Sequence, residues 1–182
     1  GPFGEVNGYL GVQGYQQSAH YEVRAITRRR GAMHMSILTP EGDKPWMDLA
    51  REGAYLRGCR EAVPGDQAVC PSGRHALLNV FISMKKMSEG DPGRAAAAAL
   101  TWDWAKNVFV FDEDIVVYNP TGILWALATR GQPHKQISII QDIMRGSLID
   151  PSMDHPRRTS GMIVDATKPL DRPFSPVSRC PD

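Results

Sequence analysis

From residue 66 onward the chain alternates short apolar runs with helical patterns, and this alternation limits the fold more than any other feature of the sequence. Residues 67–70 read as a short strand. Residues 76–84 (Ala-Leu-Leu-Asn-Val-Phe-Ile-Ser-Met) read as a second, apolar on both faces, the pattern of a strand covered from two sides. Asp91-Pro92-Gly93-Arg94 opens a helix through the alanines of 95–99 to Trp104, with Asp91 expected as N-cap and Pro92 at the first helical position. Residues 107–111 form a third strand running into Asp112-Glu113-Asp114. Asn119-Pro120-Thr121 then caps a helix from Gly122 to Arg130. Residues 136–140 and 162–165 complete the set as a fourth and a fifth strand. Strands alternating with helices of about 10–15 residues predict an α/β fold, a sheet with helices packed on it.

Upstream the pattern is looser. Residues 19–27 alternate well enough for a strand that places Tyr21, Val23 and Ala25 on one face, and residues 33–38 read as another short strand. Thr39-Pro40-Glu41-Gly42-Asp43 is punctuation. A helix is predicted over 44–62, with a stripe of Trp46, Leu49, Ala50, Ala54 and Leu56. Gly53 and Gly58 weaken it by about 1 kcal/mol each relative to alanine. Residues 141–160 and 166–182 are rich in Pro, Ser, Asp and Arg. The first is expected to be an ordered loop or lid, the second a tail.

At 182 residues, 42% of them hydrophobic, the chain suffices for one domain with a real core. A formal net charge of +1 gives no reason to expect nucleic acid or an anionic membrane as partner. The clusters Arg28-Arg29-Arg30 and Arg157-Arg158 read as solvated turns. No apolar run approaches the ~18–20 residues needed to span a bilayer. Cys59, Cys70 and Cys180 are widely spaced and odd in number, which fits reduced thiols and a cytoplasmic location.

The chemistry-bearing residues are sparse. Residues 1–11 (Gly-Pro-Phe-Gly-Glu-Val-Asn-Gly-Tyr-Leu-Gly) surround one carboxylate, Glu5, with glycines and two aromatics. Desolvated among Phe3, Gly4 and Tyr9, that carboxyl would have a raised pKa and serve as a proton donor; in open solvent it is an ordinary glutamate in a glycine loop. The segment lacks the G-x-x-x-x-G-K-[ST] phosphate-loop spacing. Asp112, Glu113 and Asp114 stand at a strand's C-terminal end, where α/β folds place magnesium or ligand carboxylates; the alternative is a turn leading to Asn119. His20, His34, His75, His134 and His155 show no paired zinc spacing, and no G-x-S-x-G occurs. Lys85, Lys86 and Lys106 are phosphate contacts or solvated ends of strands.

Several of these segments together resemble the UbiD family of reversible decarboxylases. The Gly-Pro-Phe-Gly-Glu opening is similar to that family's acid/base segment. Residues 68–86 resemble its glycine turn, histidine, apolar strand and paired lysines. Residues 106–118 are similar to its lysine, apolar strand and Asp-Glu-Asp-Ile run. Residues 125–133 and Asp165-Ala166-Thr167 match later signatures in the same order. Val116 departs from an aspartate common there, and Arg28-Arg29-Arg30-Gly31 from a His-Arg-Lys-Asp-Pro turn.

The resemblance implies the C-terminal portion of a carboxy-lyase. Residues 1–35 would be the end of a flavin-binding, strand-rich split-barrel domain, 36–168 a C-terminal α/β oligomerisation and lid domain, and 169–182 a tail. It implies prenylated FMN, a divalent metal (Mn or Mg) and potassium as cofactors, with their ligands expected upstream of residue 1. It also implies Glu5 as proton donor, Val6 and Phe3 against the substrate, and an aromatic or α,β-unsaturated carboxylic acid as that substrate. A homo-oligomer is expected. Two alternatives stand beside this: a non-catalytic oligomerisation module, and the small subunit of a split enzyme whose partner chain carries the flavin domain. Gly1-Pro2 is also the dipeptide that some tag-removal proteases leave behind.

Overall fold

A computed structural model describes residues 8–9, 20–34, 44–65, 67–71, 78–102, 104–145, 150–153 and 158–178. Along the chain the elements are α1 (Lys44–Ala62), β1 (Gln67–Pro71), β2 (Asn79–Met84), α2 (Asp91–Leu100), β3 (Asn107–Asp112), α3 (Pro120–Arg130), the single turn α4 (Pro133–Gln136), β4 (Ile137–Arg145) and β5 (Arg158–Ala166). The five strands form one mixed sheet in the order β1-β2-β3-β5-β4. β2, β3 and β5 run parallel in the middle, and β1 and β4 are antiparallel at the edges. The α/β class read from the sequence is therefore correct. No described residue upstream of α1 is in a strand.

The inner strands are apolar on both faces because both faces meet helices. On one side Val80, Ile82 and Met84 of β2, Val108 and Val110 of β3, and Ile163 of β5 pack against Tyr55 and Cys59 of α1 and the alanines of α2. Ala95, Ala96 and Ala99 are buried. Their small side chains let α2 lie close to the sheet, which explains an alanine run inside a core helix. Burying a side chain such as Ile82 stabilises the fold by roughly 1.5–3 kcal/mol. On the other side Phe111 and Ala166 meet Ile123 and Ala126 of α3. Gly161 of β5 is required by packing, since a Cβ there would stand 2.8 Å from Cγ2 of Ile143.

Local signals are met in part. Asn119 caps α3 as expected, its Oδ1 accepting from the amides of Thr121 and Gly122 at 3.1 and 3.4 Å. Asp91 does not cap α2. Gly90 is the N-cap, and the Asp91 carboxylate instead accepts the amides of Met87 and Ser88, both at 2.9 Å, fastening the turn before the helix. α2 stops at Leu100, four residues before the expected end, where Thr101 returns its amide and hydroxyl to Ala98 O. α1 has the predicted bounds but only part of the predicted stripe. Leu56 packs against the core beside the buried seam of Tyr55 and Cys59, while Leu49 is 73% exposed.

The predicted strand at 19–27 is the clearest miss. Residues 20–30 are exposed and take no strand, with Tyr21 at 87% exposure. A strand is defined by a neighbouring backbone that pairs with it, and among the described residues none lies alongside. Residues 33 and 34 are irregular, and the rest of the strand expected over 33–38 falls outside the described residues. The expected loop at 141–160 is narrower than predicted, because β4 continues to Arg145 and β5 starts at Arg158. None of the described helices is long and apolar enough to cross a membrane.

Candidate functional site

The best-defined polar centre lies at the C-terminal end of β3, where α/β sheets commonly bind ligands. Arg130, in the last turn of α3, points its guanidinium at the Asp112–Asp114 turn. Its Nη1 donates to Asp112 Oδ2 and to Asp114 Oδ1, both at 2.7 Å, and its Nη2 donates to Asp114 Oδ2 at 2.8 Å. Lys168, two residues beyond β5, completes the cluster. Its amide donates to Asp112 Oδ2 and its Nζ to Asp114 Oδ2, each at 3.0 Å. The guanidinium also lies over the Trp125 ring, 5.2 Å from the centroid. Arg130 is only 4% exposed.

Two cations facing two carboxylates make this centre neutral. The hydrogen bonds from Arg130, then those from Lys168 and the charge of both cations, outweigh burial and hold the Asp114 carboxyl far below the usual carboxylate range. Burial pulls the Arg130 guanidinium down, but the hydrogen bonds and charges of Asp114 and Asp112 prevail and raise it. Neither group exchanges a proton near neutral pH, so the cluster is a clamp and not an acid/base pair.

Two further ion pairs lie around the sheet. Lys86 Nζ donates to Glu89 Oε2 at 2.6 Å, and Glu89 Oε1 accepts the amide of Leu170. At the opposite end of β3, Lys106 Nζ donates to Asp150 Oδ2 at 2.8 Å and to Ser152 Oγ at 2.6 Å. Asp150, 1% exposed, also accepts from the Ser152 amide and hydroxyl and from Thr159 Oγ1. Burial works to raise the Asp150 pKa, and Lys106, Ser152 and Thr159 together lower it. Two of the three lysines singled out in the sequence are thus salt-bridged; Lys85 is exposed.

Glu5, Val6 and Phe3 lie outside the described residues, as do His75 and the side chains of Cys70 and Cys180. The metal reading of Asp112, Glu113 and Asp114 does not hold, because Asp112 and Asp114 spend their oxygens on Arg130 and Lys168. Among the described residues no group of three His, Cys, Asp or Glu is placed to hold a metal ion. A cavity of about 470 Å³ opens beside the clamp, lined by Trp125, Thr129, Arg130, Lys168, Phe174 and Val177. Its two cations are already neutralised, so it does not fit a flavin phosphate. Sequence reasoning assigned no role to Arg130, although it lies in the 125–133 run that resembles a family signature and is a basic residue in the last turn of a helix.

A mixed α/β domain of this shape is shared with solved UbiD-class enzymes. An evolved dimeric form of HmfF from Pelotomaculum thermopropionicum in complex with prenylated FMN superimposes with a TM-score of 0.77 at 29% identity, covering 98% of this chain and 38% of that one. The chain belongs to the UbiD family: residues 46–166 match the 3-octaprenyl-4-hydroxybenzoate carboxy-lyase C-terminal domain. An anhydromevalonate phosphate decarboxylase from Aeropyrum pernix is 38% identical over 69% of this chain and 29% of its own length. A phenolic acid decarboxylase from Sedimentibacter hydroxybenzoicus is 29% identical over 93% of this chain and 36% of its own length. The chain thus spans between a quarter and a half of the length of these relatives.

Proposed function

We propose that this chain is the C-terminal part of a UbiD-type carboxy-lyase that reversibly removes CO2 from an aromatic or α,β-unsaturated carboxylic acid, in the cytoplasm and as a homo-oligomer. The observation that carries the reading is the family match over residues 46–166, on a chain whose opening holds Glu5 in the family's acid/base pattern. Relatives named for phenolic acid and gallate support an aromatic substrate. Those named for anhydromevalonate phosphate keep a non-aromatic acid open.

In this reading residues 1–35 finish the catalytic domain, and 36–168 order the assembly and close over the site. Prenylated FMN, when bound, supplies the electron sink for C–C cleavage. Its ligands, and those of the divalent metal and potassium, belong to residues upstream of this chain; the described residues offer no site that fits them. Glu5 holds the proton that replaces the departing CO2, and takes one from the same carbon in the reverse direction. In the same reading Phe3 and Val6 are the residues set against the substrate acid.

Glu5→Gln in the assembled enzyme keeps the shape of the side chain and removes the transferable proton. Activity should fall by about 10²–10⁴-fold with flavin binding nearly unchanged. A fall of less than about threefold would remove Glu5 from this role. Release of CO2 by the 182-residue chain alone, given prenylated FMN and a panel of aromatic acids, would overturn the division of labour. A second reading, the small subunit of a split enzyme whose partner chain carries the flavin domain, accounts for the same family match over residues 46–166. Co-purification with a larger flavin-binding chain would establish it.

A further inference from the structure

The cavity of about 470 Å³ lies between α3 and the segment that follows β5. Its size falls within the range of small-molecule pockets, about 300–1,000 Å³. Its walls are fastened to the sheet. Lys168 bonds Asp112 and Asp114, and the Leu170 amide bonds Glu89, so the chain beyond them brings Phe174 and Val177 into the cavity lining with Trp125. Trp125 is 41% exposed and Phe174 38%, so both rings offer surface that the fold leaves uncovered. The Arg130 guanidinium lies over one face of the Trp125 ring and holds it in place. Polar groups are few. Among the described residues Lys168 Nζ has a single acceptor, Asp114, for its three N–H groups. Ser175 and Ser178 add hydroxyls to the lining.

We propose that this cavity is a binding site for a small neutral phenol. Charge decides the class. Arg130 and Lys168 are matched by Asp112 and Asp114, so an incoming carboxylate would add a charge without a counter-ion, and an incoming cation would meet two others. A neutral ligand costs neither. The aromatic lining selects a ring. The guanidinium draws the electrons of Trp125 toward one face, and an electron-rich ring stacks best on what remains of it. A phenol is such a ring, and it stays protonated near neutral pH as the tyrosine side chain does. Its hydroxyl both accepts and donates, which suits a spare Lys168 N–H on one side and a serine oxygen on the other. No hydrogen bond of the clamp has to break to admit it.

This inference does not depend on the decarboxylase reading, and its test reads binding, not turnover. Phenol titrated into the nitrogen-labelled full chain should shift the Trp125 indole resonance and the amides of Ser175, Val177 and Ser178 together, saturating with a Kd of about 1 mM or below. Benzoate carries the same ring with a negative charge, and cyclohexanol the same hydroxyl without a π face. Each should bind at least about tenfold more weakly than phenol. Phe174→Ala removes one ring contact and should weaken phenol binding about threefold to tenfold. Thr129→Trp, at an exposed position of α3, should fill the cavity and abolish the shifts, with thermal melts checking that both variants stay folded. Phenol that moves none of these resonances overturns the proposal. So does benzoate or cyclohexanol binding as tightly as phenol, or phenol binding that survives Thr129→Trp.

Discussion

Arg130 grips Asp114 with two parallel hydrogen bonds of 2.7 and 2.8 Å, joining the end of α3 to the turn that follows β3. This fork-to-fork geometry is available to arginine and not to lysine. The same Nη1 reaches Asp112, and the Lys168 amide brings in the segment after β5. The two aspartates thus hold together three pieces of chain at the C-terminal end of the sheet, bonding Arg130 on one side and Lys168 on the other.

Arg130→Met should therefore be severe. It leaves two partly buried carboxylates opposed by Lys168 alone, and breaking such a pair costs about 3–5 kcal/mol. Arg130→Lys should recover less than half of the loss. A urea titration showing a loss under about 1 kcal/mol for Arg130→Met would mean that the clamp is not structural.

The clamp also sets the acid limit of the domain. The folded-state pKa of Asp114 lies below its ordinary value of 3.8, mainly through the Arg130 hydrogen bonds. The stability this provides is fully present above the unfolded-state pKa. It is lost as pH falls through that value toward the folded one, because the unfolded chain takes up the proton first. The Asp150 pKa is also lowered and adds in the same direction. Asp114→Asn should be less stable at pH 7 and should lose less further stability between about pH 5 and 2 than the wild type. Parallel stability curves for the two proteins would contradict this.

Lys106→Met should release the turn at residues 150–153. Asp150 would keep hydroxyl partners but lose the only cation it meets among the described residues, leaving a buried charge unmatched at a cost of about 3–5 kcal/mol. Hydrogen exchange at Ser152, whose amide bonds Asp150, should quicken while that of β2 amides stays slow. Equal acceleration in both would mean global loss and not local release.

Phe81→Ala tests the packing of inner strand β2 beside the α3 cluster. A fully buried phenylalanine costs about 3–5 kcal/mol to truncate; Phe81 is only half-buried on an inner strand, so about 2 kcal/mol is expected. A double-mutant cycle with Phe109→Ala should give a coupling of about 0.5–1.5 kcal/mol from ring stacking. Zero coupling would mean that the rings do not stack in solution.

Cys59 should be inert. Its thiol is fully buried against Ala95 O, and burial pushes its pKa up to about 11. With Cys70 and Cys180 replaced by serine, a thiol reagent should label the chain only as fast as it unfolds. Rapid labelling would show that α1 opens from the sheet.

Local chemistry by itself determined the α/β class, the inner strands, the bounds of α1 and the Asn119 cap. Each depends on neighbours a few residues away: a run apolar on both faces in β2 and β3, or an asparagine ahead of a proline. The family resemblance was likewise legible, because it lies in short runs kept in order. Tertiary structure decided the rest. Residues 19–27 have the alternation of a strand, but alternation names a face and not a partner, and among the described residues no strand lies beside them. Asp91 has a capping side chain, yet the approach of the preceding turn drew its carboxylate to Met87 and Ser88. Asp112 and Asp114 could be read as a metal site or a capped turn until α3 brought Arg130 back across sixteen residues, and Lys106 found Asp150 across forty-four. Periodicity records which side of an element is apolar. Which charges meet, and which strands lie side by side, follows from the order in which the strands are laid down, and that order is set by the packing of the whole sheet.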